Sequence, residues 1–106
     1  MLIPHEYLQT VFLRTFNRLN LKFPDLKIRY GETHNCPSID ISYKELYINI
    51  YFKQDKSEFL IDSTIYNGII RTINPFKYVK LLLADPEVDK SIVKACESII
   101  NEYSGN

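Results

Sequence analysis

A chain of 106 residues is the usual size of one domain and has no room for two independent cores. Apolar residues make up 45% and charged residues 25%, a balance that excludes a disordered chain. Thirteen basic and thirteen acidic residues cancel, which argues against a free nucleic-acid binder, whose affinity rests on a basic excess, and against an acidic mimic of nucleic acid.

The charge is unevenly placed. Residues 1–30 and 63–84 each carry an excess of three positive charges, and 31–62 and 85–106 an excess of three negative ones. A basic patch would form if Arg14 and Lys77 lay on neighbouring helices; a solvated helix face is the plainer expectation. Two cysteines, Cys36 and Cys96, lie far apart, which reads as free thiols in a reducing compartment. Met1 to His5 shows no secretory pattern, and no apolar run approaches the roughly 18 residues needed to span a bilayer. The expectation is a cytoplasmic protein with no membrane segment.

Pro4 suits the first turn of a helix, and Leu8, Val11, Phe12, Phe16 and Leu19 follow as one apolar stripe at spacings of three and four. Nothing before Pro4 offers a capping side chain, and Asn20 and Pro24 mark the end. Period-two alternation then predicts four strands. Leu26, Ile28 and Tyr30 alternate with Lys27 and Arg29. Ile39, Ile41 and Tyr43 alternate with Asp40 and Ser42. Leu46, Ile48, Ile50 and Phe52 alternate with Tyr47, Asn49, Tyr51 and Lys53. Phe59, Ile61, Ser63 and Ile65 alternate with Leu60, Asp62, Thr64 and Tyr66. The connectors are Gly31 to Pro37, Lys44-Glu45 and Gln54 to Ser57, and the last two are short enough for antiparallel hairpins.

Asn67-Gly68 is a turn signal that either closes a further hairpin to Ile69-Ile70-Arg71 or leads into the last helices. Asn74-Pro75 predicts a short helix through Phe76, Val79, Leu82 and Leu83. Asp85-Pro86 predicts a longer one with the stripe Val88, Ile92, Cys96, Ile99, Ile100 and Tyr103. The fold class is therefore α+β: an N-terminal helix, a four-stranded antiparallel meander, then one short and one longer C-terminal helix packed on one sheet face.

The other sheet face looks outward, as antiparallel sheets allow. Lys27, Arg29, Asp40, Ser42, Tyr47, Asn49, Tyr51, Lys53, Asp62, Thr64 and Tyr66 fall on it; of these Tyr47, Asn49, Tyr51, Lys53, Asp62 and Tyr66 are the candidate contact residues, with Arg71 just after the sheet. Tyrosine gives a large, stiff contact area with a polar tip, and charges of both signs around it suit a protein partner. The plainer reading is a solvated face whose tyrosines reflect β-propensity and a gene rich in codons for Ile, Lys, Asn and Tyr.

No catalytic, cofactor or metal motif stands out. Cys36 and His34 share the 31–37 stretch, but neighbours in one loop rarely reach the geometry a thiol nucleophile needs, and no oxyanion loop follows. His5, His34, Cys36 and Cys96 lack paired ligand spacing. These observations point to a small non-enzymatic protein that covers a partner protein's surface, as inhibitors, immunity proteins and phage anti-defence (anti-CRISPR-like) factors do. The alternatives are a small enzyme or ligand-binding domain with its site in the 31–37 loop, and a nucleic-acid-binding module. An exposed strand edge also leaves room for pairing into a homodimer.

Overall fold

A computed structural model describes residues 4–66, 71–72, 79–82 and 87–105, with the backbone alone described for His5, Tyr66 and for 71–72 and 79–82. The element order is α1 (His5–Lys22), β1 (Lys27–Thr33), β2 (Cys36–Tyr43), β3 (Leu46–Lys53), β4 (Glu58–Tyr66), β5 (Arg71–Thr72), β6 (Val79–Leu82) and α2 (Val88–Ser104). The first four strands form the expected antiparallel meander, in the order β1-β2-β3-β4.

α1 begins one residue later than Pro4 suggests. Pro4 is itself the cap residue, in extended conformation, and its carbonyl accepts the backbone N–H groups of Tyr7 and Leu8 at 3.2 and 3.3 Å. No side chain caps this end, as the sequence anticipates. The helix runs two residues past Asn20 and closes where Phe23 N–H donates to Leu19 at 2.9 Å, just before Pro24.

Three turns set the register of the meander. The stretch read as a 31–37 loop is mostly strand: β1 continues to Thr33, β2 starts at Cys36, and only His34 and Asn35 turn the chain. Both have positive φ, 52° and 61°, the type I′ pattern whose twist matches the flanking strands. Histidine and asparagine are enriched among the non-glycine residues that tolerate this region, so the turn forms without glycine. Pro37 is tolerated because Glu32↔Pro37 lies one step from the turn. Its nitrogen points toward β3, whose pairing with β2 starts only at Ser38. Lys44-Glu45 joins Tyr43 to Leu46, and Gln54 to Ser57 joins Lys53 to Glu58, both at the expected positions.

The outer edge of β4 carries two short partners. β5 pairs through Ile65↔Thr72 and Tyr66↔Arg71, so Arg71 returns to pair with β4; the turn signal at Asn67-Gly68 and Ile69-Ile70 lie outside the described residues. β6 pairs through Glu58↔Leu82 to Ile61↔Val79. Both run antiparallel to β4 and act as one interrupted edge strand. This corrects the short helix over Val79 and Leu82. Their helical spacing is overridden by backbone groups on β4 that need partners. Asn74-Pro75, Phe76, Lys77, Leu83 and Asp85-Pro86 lie outside the described residues, and so does the proposed Arg14–Lys77 patch.

One apolar cluster joins the layers. Leu8, Val11, Phe12 and Leu19 from α1 and Ile92, Cys96, Ile99 and Ile100 from α2 pack with Ile39, Ile41, Ile48, Ile50, Phe52, Phe59 and Ile61 from one sheet face. Phe12 meets Phe59 edge-on at 5.8 Å, and Phe59 pairs with Phe52 across β3–β4 at 4.8 Å. Each such ring contributes roughly 1.5–3 kcal/mol by burial alone. Lys22–Glu97 (3.1 Å) and Arg18–Asp89 (3.7 Å) tie α1 to α2 at the surface, where such pairs add little. Tyr30 carries the core-side phase but is 47% exposed, because β1 is the free edge of the meander. No helix among the described residues is long and apolar enough to cross a membrane.

Candidate functional site

The phase of the strands puts three cross-strand rows on the face away from the helices. The first row is Lys27, Ser42, Tyr47 and Thr64. The second is Arg29, Asp40, Asn49 and Asp62. The third is Gly31, Ser38, Tyr51 and Leu60. Opposed residues in such rows lie about 5 Å apart and interact directly.

The first two rows line an open trough of about 690 Å³, together with Thr33 and His34 at the β1–β2 turn. Lys27 and Arg29 stand on the β1 rim, and Asp40 and Asp62 lie further in. Tyr47 is 41% exposed and presents its ring at the surface. Asn49 links three strands: its Nδ2 donates to Asp40 Oδ1 on β2 at 2.7 Å and to Thr33 Oγ1 on β1 at 2.9 Å. Thr33 Oγ1 then donates to Ser38 Oγ at 3.0 Å.

The third row departs from expectation. Tyr51 points away from the helices, as its phase requires, yet it is only 8% exposed, with Ser38 and Leu60 beside it buried as well. The His34 ring lies against Tyr51 at 5.6 Å. Tyr51 is therefore part of the packing at one end of this face rather than a solvent-facing anchor. Alternation alone cannot reveal this, because burial here depends on what the turn and the neighbouring strands bring over the ring.

The other site residues read from the sequence do not form one group. Tyr47, Asn49 and Asp62 come together in the trough. Lys53 lies opposite Glu58 at one end of β4, and Tyr66 lies opposite Arg71 at the other. Eight residues of strand separate these ends, about 27 Å. Sequence reasoning placed Lys27, Arg29, Asp40, Ser42 and Thr64 on the outward face but left them out of the site. It took the hairpin register to show that they line the trough.

The Cys36–His34 pair has no nucleophile geometry. The Cys36 thiol lies 3.4 Å from the backbone carbonyl of His34, while the imidazole turns to Tyr51. Cys96 is buried in the α2 stripe, and burial, with a smaller push from the neighbouring Glu97 carboxylate, raises its thiol to about 12. It stays protonated, as a small core residue should. Among the described residues no group of three or more His, Cys, Asp or Glu side chains is placed to hold a metal ion.

Comparison with protein-family models, curated proteins and solved structures found no match to this chain, so the site stands on its own geometry.

Proposed function

We propose that this chain is a non-enzymatic binding protein that grips a partner protein with the outer face of its sheet. The observation that carries this reading is the open trough, lined by both signs of charge and by the exposed ring of Tyr47. A broad, shallow, mixed-charge surface with an aromatic at its margin suits protein recognition, where charges set register and an aromatic supplies contact area. The mechanism is steric: the partner is covered, as by an inhibitor, immunity protein or anti-defence factor. That class rests on analogy of size and surface, since fold does not fix function.

The contact set is revised from the sequence reading. Tyr47, Asn49 and Asp62 remain, Lys27, Arg29, Asp40, Ser42 and Thr64 join them, and Tyr51 becomes support. The test is affinity capture from the native cell with the wild-type chain and with the double variant Lys27→Glu, Tyr47→Ala. Both positions are exposed, so folding should be kept. The reading requires a partner, identified and then rebuilt from purified components, that binds the wild type and is lost by the variant. Equal binding of a folded variant removes the outer face from the mechanism.

A small-ligand site is the second reading, favoured by one observation. The trough volume falls within the roughly 300–1,000 Å³ of ligand pockets. Its open form, with charges of both signs at the margin, favours the protein partner.

A further inference from the structure

β1 ends the sheet, with β2 on one side and no strand on the other among the described residues. Its pairing with β2 is unbroken over 7 residues, and it holds neither a bulge nor a proline to turn the edge away. The two-residue turn closes on Thr33↔Cys36, a pair that exchanges both of its backbone bonds. Thr33, Gly31, Arg29 and Lys27 therefore direct their backbone groups to β2. Glu32, Tyr30 and Ile28 direct theirs outward.

The side chains beside the middle of this edge are apolar or uncharged. Tyr30 has the phase of the core face yet is 47% exposed, and Leu13 on α1 is 48% exposed. Both line one recess with Gln9 and Thr10, and Tyr30 lines a second with Gln9, Gly31 and Glu32. Tyr30 thus stands between two hollows at the open edge. α1 carries no charge from Tyr7 to Leu13.

We infer that a second copy of this chain pairs here, β1 against β1, antiparallel about a two-fold axis at Tyr30. The inference is independent of the outer-face contact, because an axis perpendicular to the sheet leaves both outer faces open on one side. In this register the strand is complementary to itself. Ile28 meets Glu32 and Tyr30 meets Tyr30, so every outward residue joins a pair that exchanges both bonds. Lys27 falls opposite Thr33 and Arg29 opposite Gly31, so no like charges are directly opposed. An axis at Arg29 sets that charge against its own copy. An axis at Gly31 leaves Lys27 and Ile28 without strand partners. The axis at Tyr30 brings two half-exposed rings together and turns the Leu13 flanks of the two helices toward each other. Zero net charge spares the pair the self-repulsion of a charged domain. A foreign strand would find the same backbone groups; this self-match is what selects a second copy.

The experiment is sedimentation equilibrium of the full chain from about 1 μM to about 0.5 mM, a range in which the mass should double. Glu32→Pro removes an outward N–H and leaves the β2 ladder whole, so the fold should be kept and the dimer lost. Tyr30→Lys and Tyr30→Glu each place like charges opposite one another and should each weaken association by at least about fivefold. An equal mixture of the two should recover it, because only on the axis does a residue meet its own copy. Thermal melts followed by circular dichroism verify that each variant is folded. Three results overturn the inference: a monomer throughout the range, a dimer that survives in folded Glu32→Pro, or no recovery in the mixture of folded variants. The first of these, together with a captured protein that Glu32→Pro loses, would give the edge to a foreign strand. A monomeric chain leaves the outer-face reading standing, since that is decided by the Lys27→Glu, Tyr47→Ala capture.

Discussion

His34 and Tyr51 meet at one end of the outer sheet face, ring centroids 5.6 Å apart and planes inclined at 61°. The contact joins the β1–β2 turn to the third strand and helps explain why a tyrosine on the solvent side of a sheet is only 8% exposed. Two tyrosines of one strand face therefore carry different loads. Tyr51→Ala should destabilise the fold by about 3 kcal/mol, as loss of a buried aromatic does. Tyr47→Ala should cost no more than about 1 kcal/mol. Urea unfolding of both variants decides it, and equal losses would mean that the difference in burial has no energetic counterpart.

The same turn offers a second measurement. Asn35 holds φ of 61°, which asparagine tolerates and β-branched residues do not. Asn35→Val should cost about 1–2 kcal/mol through backbone strain. Asn35→Gly should be neutral or stabilising, because glycine suits the second position of a type I′ turn. The prediction fails if valine is accepted without a drop in melting temperature.

Ser63 lies on the core face of β4, opposite Ile48, and is 1% exposed. Its hydroxyl is buried with no hydrogen-bond partner among the described residues. Ser63→Ala removes this unmet group at little loss of volume, and should raise stability by up to about 1 kcal/mol. Thermal unfolding of the single variant is sufficient, and a clear loss of stability would show that the hydroxyl is satisfied.

Cys96 makes a prediction about pH. The unfolded chain ionises this thiol from about 9.0 upward, whereas the folded chain holds its proton to about 12. Between these values the unfolded state binds fewer protons, so this contribution to stability is complete below pH 9 and fades as pH rises toward 12. The stability gap between wild type and Cys96→Ala should narrow across that window. A constant gap would rule the linkage out. In the native protein a thiol reagent should label the partly exposed Cys36 and spare Cys96 until unfolding.

Much of the meander could be read from the residues because its information is local. Isoleucine alternation gave the face of each strand, and the two-residue and four-residue links at Lys44 and Gln54 gave the neighbours. The β1–β2 turn was hidden because His34-Asn35 lacks the glycine that advertises such turns, and because Pro37 reads as loop until its place beyond the β3 ladder is known. β6 was hidden because Val79, Leu82 and Leu83 fit a helix as well as a strand, and only the free edge of β4 decides between them. The trough was less legible still. Asn49 reaches Thr33 across sixteen residues of sequence, through a strand that lies between them, and no window of sequence contains that relation.

The two ion pairs between the helices mark how far apart in the chain the layers begin. Lys22 and Glu97 are 75 positions apart. Every hairpin of the meander can close from adjacent residues, yet none of them shields its isoleucines alone. Two distant segments must find each other before that greasy side is sealed, and such long-range closure is the slow part of folding. Any state in which the meander forms before α1 and α2 dock would expose that sticky side, and such a form is prone to clump. Conditions that loosen α2 should therefore promote aggregation before they unfold the strands.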